Sequence, residues 1–185
     1  MKDGKSRTGN RIFLHPVGHK HPVGQASHPQ ELEELKQLRA GDFVLLSGKF
    51  ISARDRTFRK FFSKPQAGVL KSRAVYYCGP VIRKGRIVSA GPTTSSRMDW
   101  AIPDLLSYGV TVFIGKGVIG AGVMKRKAVY LEAPGGCGAL VASKIKSFKI
   151  ISYPELGPQA MMEFEVKNFP ALVGIDWYGG SIYKR

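Results

Sequence analysis

Three short stretches carry side chains whose types and spacing could do chemistry. The first is Gly91-Pro92-Thr93-Thr94-Ser95-Ser96-Arg97-Met98-Asp99, four hydroxyls and a guanidinium directly behind a turn. Gly91 and Pro92 stop the strand-like run 86–90 and fix the direction in which the chain leaves it. A helix opening at Met98-Asp99 then places hydroxyls and free backbone N–H groups at its start, with an arginine beside them. That arrangement suits a carboxylate or a phosphate. Taken alone, it suits plain capping better, with Ser95 or Ser96 as N-cap and Arg97 a solvated charge, because such caps are common. The second stretch is Arg54-Asp55, which is either an internal ion pair or a cation aimed at an anion. The third is Gly115-Lys116-Gly117, where flanking glycines let the backbone come close to an anion.

A dinucleotide turn is the obvious competing reading of the third stretch, because Gly115-x-Gly117-x-x-Gly120 follows an apolar strand. The rest of that unit is missing. About ten residues separate Gly117 from the next strand, too few for a crossover helix. The acid that should bind a ribose about twenty residues on is absent, since Glu132 falls early. The glycine pattern is therefore read as chance.

These stretches need elements to hold them, and the apolar periodicity supplies them. A short helix is predicted over 29–39, with Leu32, Leu35 and Leu38 on one face. Strands are predicted over 43–47 and, past Gly48, over 49–53, leading into Arg54-Asp55. Residues 56–63 have helical spacing, with Phe58, Phe61 and Phe62 as core. Strands follow at 74–78 and 86–90, with a solvated basic turn at 83–86 between them. A helix over 98–108, kinked or restarted at Pro103, leads to a strand at 110–114. A strand at 128–131, a short helix at 139–144, a strand at 148–152, a helix at 155–162 and a strand at 171–175 complete the order, and a Gly179-Gly180 turn leads into 181–183. Strands alternating with short helices predict one mixed α/β (α/β or α+β) domain over 28–185. Residues 1–27, with His15, His19 and His21 among prolines and glycines, are predicted to be a basic flexible extension.

Composition narrows the function classes. At 185 residues the chain is one domain by length, and 43% apolar residues fit a globular protein. No run of eighteen apolar residues spans a membrane and no signal-peptide core opens the chain, so a cytoplasmic protein is expected. Cys78 and Cys137 lie far apart, outside any CxxC pattern, and cannot by themselves hold an iron–sulfur cluster or a structural zinc. The net charge is +16, and between residues 49 and 86 eleven Lys or Arg face one acid, Asp55. Such a field steers anionic substrates, holds an acidic partner or binds nucleic acid. No RNP-like, KH or zinc-finger pattern accompanies it, and a nucleic-acid domain leaves the hydroxyl-rich turn without a role.

The GPTTSSRMD stretch, with Ile114-Gly115-Lys116-Gly117 downstream and Ala53-Arg54-Asp55 upstream, resembles the beta subunit of two-subunit iron–sulfur fumarate hydratases and tartrate dehydratases. The same region forms the C-terminal domain of single-chain class I fumarases. The resemblance covers about residues 38–183, with the motifs in family order. It implies a swivelling β/β/α fold and a site completed by an alpha subunit whose cysteines hold a four-iron, four-sulfur cluster. A heterodimer or heterotetramer follows, acting on a small dicarboxylate, with no membrane and no nucleic acid involved. It implies hydration of fumarate to (S)-malate, with dehydration of L-tartrate as the alternative. Arg54, Arg97 and Lys116 would grip the carboxylates, helped by Thr94 and Gly117. Thr93 would move the proton, with Arg54 lowering the pKa of its hydroxyl. Three departures stand out: the N-terminal extension, a shortened segment after Gly117, and Phe58 where many relatives carry a histidine. The last keeps a non-catalytic assembly role open.

Overall fold

Alternating apolar residues build the sheet, and a bulge between its two longest strands decides which face they reach. The structure, a computed structural model, describes residues 12–16, 28–66, 69–70, 74–120, 122 and 124–183. Its backbone of two long antiparallel strands is β2 (Phe43–Ala53) and β9 (Met161–Ile175). Their register slips at Ser47, where two residues of β9, Lys167 and Asn168, stand against one of β2. Asn168 takes a positive φ of 54° there, and its N–H donates to Ser47 Oγ (3.0 Å). The extra residue keeps large side chains pointing inward on both sides of the bulge: Phe164 and Val166 before it, Phe169, Ala171 and Val173 after it.

The free edges of these two strands are shared. β2 takes β1 (Ile12–Pro16) along its first half and β3 (Ala74–Tyr77), in parallel, along its second. β9 takes β8 (Ile145–Ser152) along its first half and β7 (Val129–Glu132) along its second. With β6 (Val112–Gly115) parallel between β3 and β7, the pairing β2–β3–β6–β7–β9–β2 closes into a ring. Its interior is apolar. Phe50 meets Tyr76 and Phe169 edge to face, at centroid distances of 5.7 and 5.4 Å, a geometry that suits the ring quadrupoles.

Ile51, Val75, Tyr77, Phe113 and Tyr130 alternate to the outside of the ring and form a second core. It is roofed by α2 (Asp55–Ser63), by a 3₁₀ segment Ser95–Ala101 and by α3 (Ile102–Ser107). α1 (His28–Gln37) buries Leu35 against the inner core, and α4 (Gly138–Ser143) buries Val141 there. One mixed α/β unit results, as expected. Within the 1–27 stretch, residues 12–16 form β1, and the remainder lies outside the described residues.

Several elements differ from the expectation. The two strands predicted either side of Gly48 are one, because Gly48 at φ 129° passes the bulge without ending the pairing. The predicted turn at 83–86 is the tip of a hairpin, β4 (Val81–Arg83) and β5 (Arg86–Ser89), with Lys84 and Gly85 both at positive φ. The helix expected at 98–108 is two pieces, the 3₁₀ segment and then α3, which Pro103 opens in its first turn. The helix expected at 155–162 is a 3₁₀ segment, Pro154–Gln159, broken at Gly157 (φ 57°, ψ −121°), and the residues after it already belong to β9.

Candidate functional site

All three chemically suggestive stretches meet at the same edge of the ring, two leaving its strands and the hydroxyl stretch docking there from the β4–β5 hairpin. β2, β3, β6 and β7 run parallel, and Ala53 pairs Tyr77 while Gly115 pairs Glu132. Their carboxyl ends therefore deliver Arg54, Cys78, Lys116 and Glu132 side by side. Loops at the carboxyl ends of parallel strands are the usual place for a ligand site, because backbone and helix starts open there together.

Arg54 sits at the N-cap of α2, where its carbonyl accepts the Phe58 N–H (3.0 Å) and its own N–H reaches Thr57 Oγ1 (3.3 Å). Its guanidinium lies across Gly79: a Cβ there would stand 3.1 Å from Arg54 Cδ and from Nη1. Asp55 is the hinge of the cationic group. Its Oδ1 is 3.8 Å from Arg54 Nε and its Oδ2 is 3.5 Å from Arg97 Nη2. Arg54 Nε is buried without a hydrogen bond among the described residues, whereas half of the Arg97 side chain meets solvent.

The hydroxyl stretch is not a helix cap. Residues 92–94 run extended into the gap between the ends of β3 and β6, directly before the 3₁₀ segment. Pro92 bridges Cys78 and Thr94 bridges Lys116. Thr93 N–H donates to the Tyr77 carbonyl, its carbonyl accepts the Lys116 N–H (3.4 Å), and Ser95 N–H donates to the Lys116 carbonyl (3.0 Å). Ser95 is fully buried, and its hydroxyl meets Tyr130 Oη (2.9 Å) rather than a helix N–H. Gly115 makes room for it, because a Cβ at 115 would stand 2.0 Å from Ser95 Oγ. Thr93 is half-buried, while Thr94 and Ser96 are exposed.

Lys116 is half-buried, its stem passing beside Gly135, where a Cβ would come 3.7 Å from Cδ. Gly117 turns the chain at φ 70°. Its N–H donates to Glu132 Oε1 (3.1 Å), and its carbonyl accepts from Tyr130 Oη (2.9 Å). Glu132 Oε2 takes the Tyr183 hydroxyl. Burial pushes the Tyr130 and Tyr183 hydroxyls up, with the Glu132 carboxylate acting in the same direction on both. Burial likewise pushes the Cys78 thiol up to about 12, against a smaller opposing pull from its hydrogen bonds and from Arg54.

Known proteins resemble this chain in sequence over most of its length. The family described as the fumarase C-terminus matches residues 19–185. The chain belongs to that fumarase C-terminus family. It is 35% identical over 170 residues to a putative L(+)-tartrate dehydratase subunit beta of Methanocaldococcus jannaschii, covering 83% of this chain and 87% of that one. It is 32% identical over 167 residues to the L(+)-tartrate dehydratase subunit beta of Escherichia coli K12, covering 83% of each chain. A putative fumarate hydratase class I of Geobacillus stearothermophilus is 30% identical over 163 residues. That match covers 82% of this chain and 32% of the relative.

For a fumarase C-terminus chain, the site divides into what the motifs announced and what they did not. Arg54 and Arg97 come together on Asp55, and Thr93, Thr94, Lys116 and Gly117 are stitched into one strip. The Gly117 N–H is committed to Glu132. Phe58 faces none of this: it is fully buried, edge-on to Tyr77 and stacked with Phe62. Asp55 entered the sequence reading only as a possible ion-pair partner. Ser95 entered only as a cap, and Tyr130, Tyr183 and Glu132 in no supporting role. Among the described residues no group of three or more His, Cys, Asp or Glu could hold a metal ion. Cys78 is buried, and Cys137 is half-buried and unpaired with it. These residues do not fit an iron–sulfur cluster as its ligands. No helix of the described residues is long and apolar enough to cross a membrane.

Proposed function

We propose that this chain is the beta-type half of a hydro-lyase that reversibly hydrates fumarate to (S)-malate at a site shared with an alpha-type chain, as a heterodimer or heterotetramer. The observation that carries the reading is the convergence of Arg54, Arg97, Lys116 and Thr93 on one carboxyl edge, inside a chain of the fumarase C-terminus family. Three cations against Asp55 and Glu132 leave a net positive edge suited to a dianion. Arg97 is the exposed fork, able to take one carboxylate bidentately, and Lys116 provides a compact charge for the other. Arg54 is the more buried cation, held across Gly79, and its charge favours ionisation of a nearby hydroxyl.

Hydration adds hydroxide to one alkene carbon and a proton to its neighbour. In the dehydration direction the ionised Thr93 oxygen takes that proton from carbon and becomes the hydroxyl, and in the hydration direction the hydroxyl returns it. A threonine does this only when adjacent positive charge lowers its pKa. The Lewis acid that handles the substrate hydroxyl is a four-iron, four-sulfur cluster ligated by the alpha chain in this reading. Dehydration of L-tartrate is the second reading, favoured by relatives bearing the name tartrate dehydratase subunit beta. The two substrates differ by hydroxylation, and the same cations serve both.

The test is an anaerobic assay of the chain alone and co-expressed with cluster-bearing alpha-type chains, with fumarate and L-tartrate in parallel. Turnover only in the mixture, lost in Arg97→Ala, supports the reading, and the preferred acid identifies the substrate. No turnover of either acid by a stable complex with an intact cluster overturns it.

A further inference from the structure

We infer that Glu132 and Tyr183 form a latch that positions Lys116 from behind, making Glu132 a positioning residue for dicarboxylate binding. The inference rests on the reading of Lys116 as a substrate cation. Lys116 lies on a two-residue step whose backbone groups are nearly all committed. Its own N–H and carbonyl go to Thr93 and Ser95. The next carbonyl, on Gly117, goes to Tyr130 Oη. The Gly117 N–H is the one whose partner is a charged side chain, Glu132, at 3.1 Å. Glu132 is the last residue of β7, so its stem is anchored by the sheet. Its second oxygen is held by the Tyr183 hydroxyl, which fixes the carboxylate's rotation.

The latch reaches the far end of the chain. Tyr183 is brought back by the Asp176–Gly180 turn and by the Ile182 N–H donating to the Gly174 carbonyl (3.0 Å). Its ring packs near Tyr130, with centroids 6.4 Å apart. Gly174 has no side chain to obstruct it, since a Cβ there would stand 3.2 Å from Tyr183 Oη. Gly117 turns the chain at a left-handed φ directly after β6, so the turn that follows Lys116 is held by side-chain partners from β7 rather than by a continuing ladder. Two donors on Glu132 also neutralise part of a carboxylate that stands beside an anion site.

The experiment compares Glu132→Ala, Glu132→Gln and Tyr183→Phe in the co-expressed complex. Glutamine keeps an acceptor for Gly117 and rescues; phenylalanine keeps the ring and removes only the hydroxyl. Losing a charged hydrogen bond of this kind corresponds to about tenfold in an equilibrium. Glu132→Ala is therefore expected to raise KM about tenfold with kcat within about threefold, Tyr183→Phe less, and Glu132→Gln within about twofold of the parent. Hydrogen exchange at Gly117, measured on the full chain alone, is expected to accelerate in Glu132→Ala and not in Glu132→Gln. Unchanged exchange at Gly117 overturns the latch. Faster exchange with KM unmoved, or equal losses in all three variants, overturns its role in binding. A parent complex that turns over neither acid overturns the hydro-lyase reading instead. Titration of the full chain with succinate then decides the latch, which fails if Glu132→Ala binds as the parent does.

Discussion

Gly115 has no room for a side chain, and the reason is functional rather than conformational. Ser95 Oγ occupies the space where its Cβ would be, at 2.0 Å, and Tyr77 stands 3.1 Å away. Gly115→Ala must push Ser95 off Tyr130 and loosen the strip that carries Thr93. Overpacking of this kind costs about 1–3 kcal/mol. A melting-temperature drop of about 2–4 °C per kcal/mol is expected for a chain of this size. Adding Ser95→Ala is expected to recover part of the loss, because the two sites share one contact. A melt unchanged by Gly115→Ala would remove the clash from the account. Thr93 makes a different prediction. Its backbone is held at both faces, so Thr93→Ser keeps the hydroxyl in place and is expected to retain turnover. Thr93→Ala is expected to lose about 10²–10⁴-fold in kcat, the range for removing a general acid or base. Steady-state kinetics on the complex separate these, and equal kcat in both variants ends the proton-transfer role.

At the scale of the element, α2 explains why Phe58 is no substitute for a catalytic histidine. The helix buries Thr57, Phe58 and Phe61 and leaves Arg54 and Asp55 at its start, so position 58 points into the core and not at the cations. Burying such a ring contributes about 1.5–3 kcal/mol. Phe58→His is expected to lose much of this without raising turnover. Burial depresses an imidazole pKa below its usual ~6.5, so the deficit deepens as pH falls through that value. Urea unfolding at pH 8 and pH 5.5 measures it, and equal deficits at both would place the imidazole in water. The periodicity of α2 was legible because its apolar residues repeat at helical spacing within nine residues. β9 was not, because Asn168 breaks the alternation and the Met and Glu residues at its start favour helix by propensity. The 3₁₀ segment was read as a later helix for a related reason. Ser95 looks like a cap in sequence, but its hydroxyl is claimed by Tyr130, thirty-five residues away. The motif residues of the site could be read locally. Their supports could not, since Glu132 finds Gly117 and Tyr183 only after the ring has closed.

At the scale of the whole molecule, ionisable groups buried on the ring or packed beside it set the alkaline limit of stability. Cys78 is pushed up from 9.0 to about 12 by burial. Tyr76, Tyr77, Tyr130 and Tyr183 are all raised, burial being the main cause in each. Well below pH 9 these groups are neutral in folded and unfolded chains alike, and their contribution is fully present. Between pH 9 and 12 the unfolded chain releases protons that the folded chain retains, so stability falls as pH rises. Each group fully ionised only in the unfolded chain removes about 1.4 kcal/mol per pH unit. The formal charge of +16 acts in the opposite direction, because lysines lose their charge in the same window and self-repulsion eases. The buried groups are expected to win, since exposed charges are screened over about 10 Å at 0.1 M salt while the thiol is sealed in the core. Denaturant unfolding from pH 7 to 11 is expected to be flat to about pH 9 and then to decline. Cys78→Ala is expected to soften the first part of that decline, and iodoacetamide at pH 8 to label Cys137 before Cys78. A profile that rises above pH 9 would mean that the relief of positive charge outweighs the buried ring.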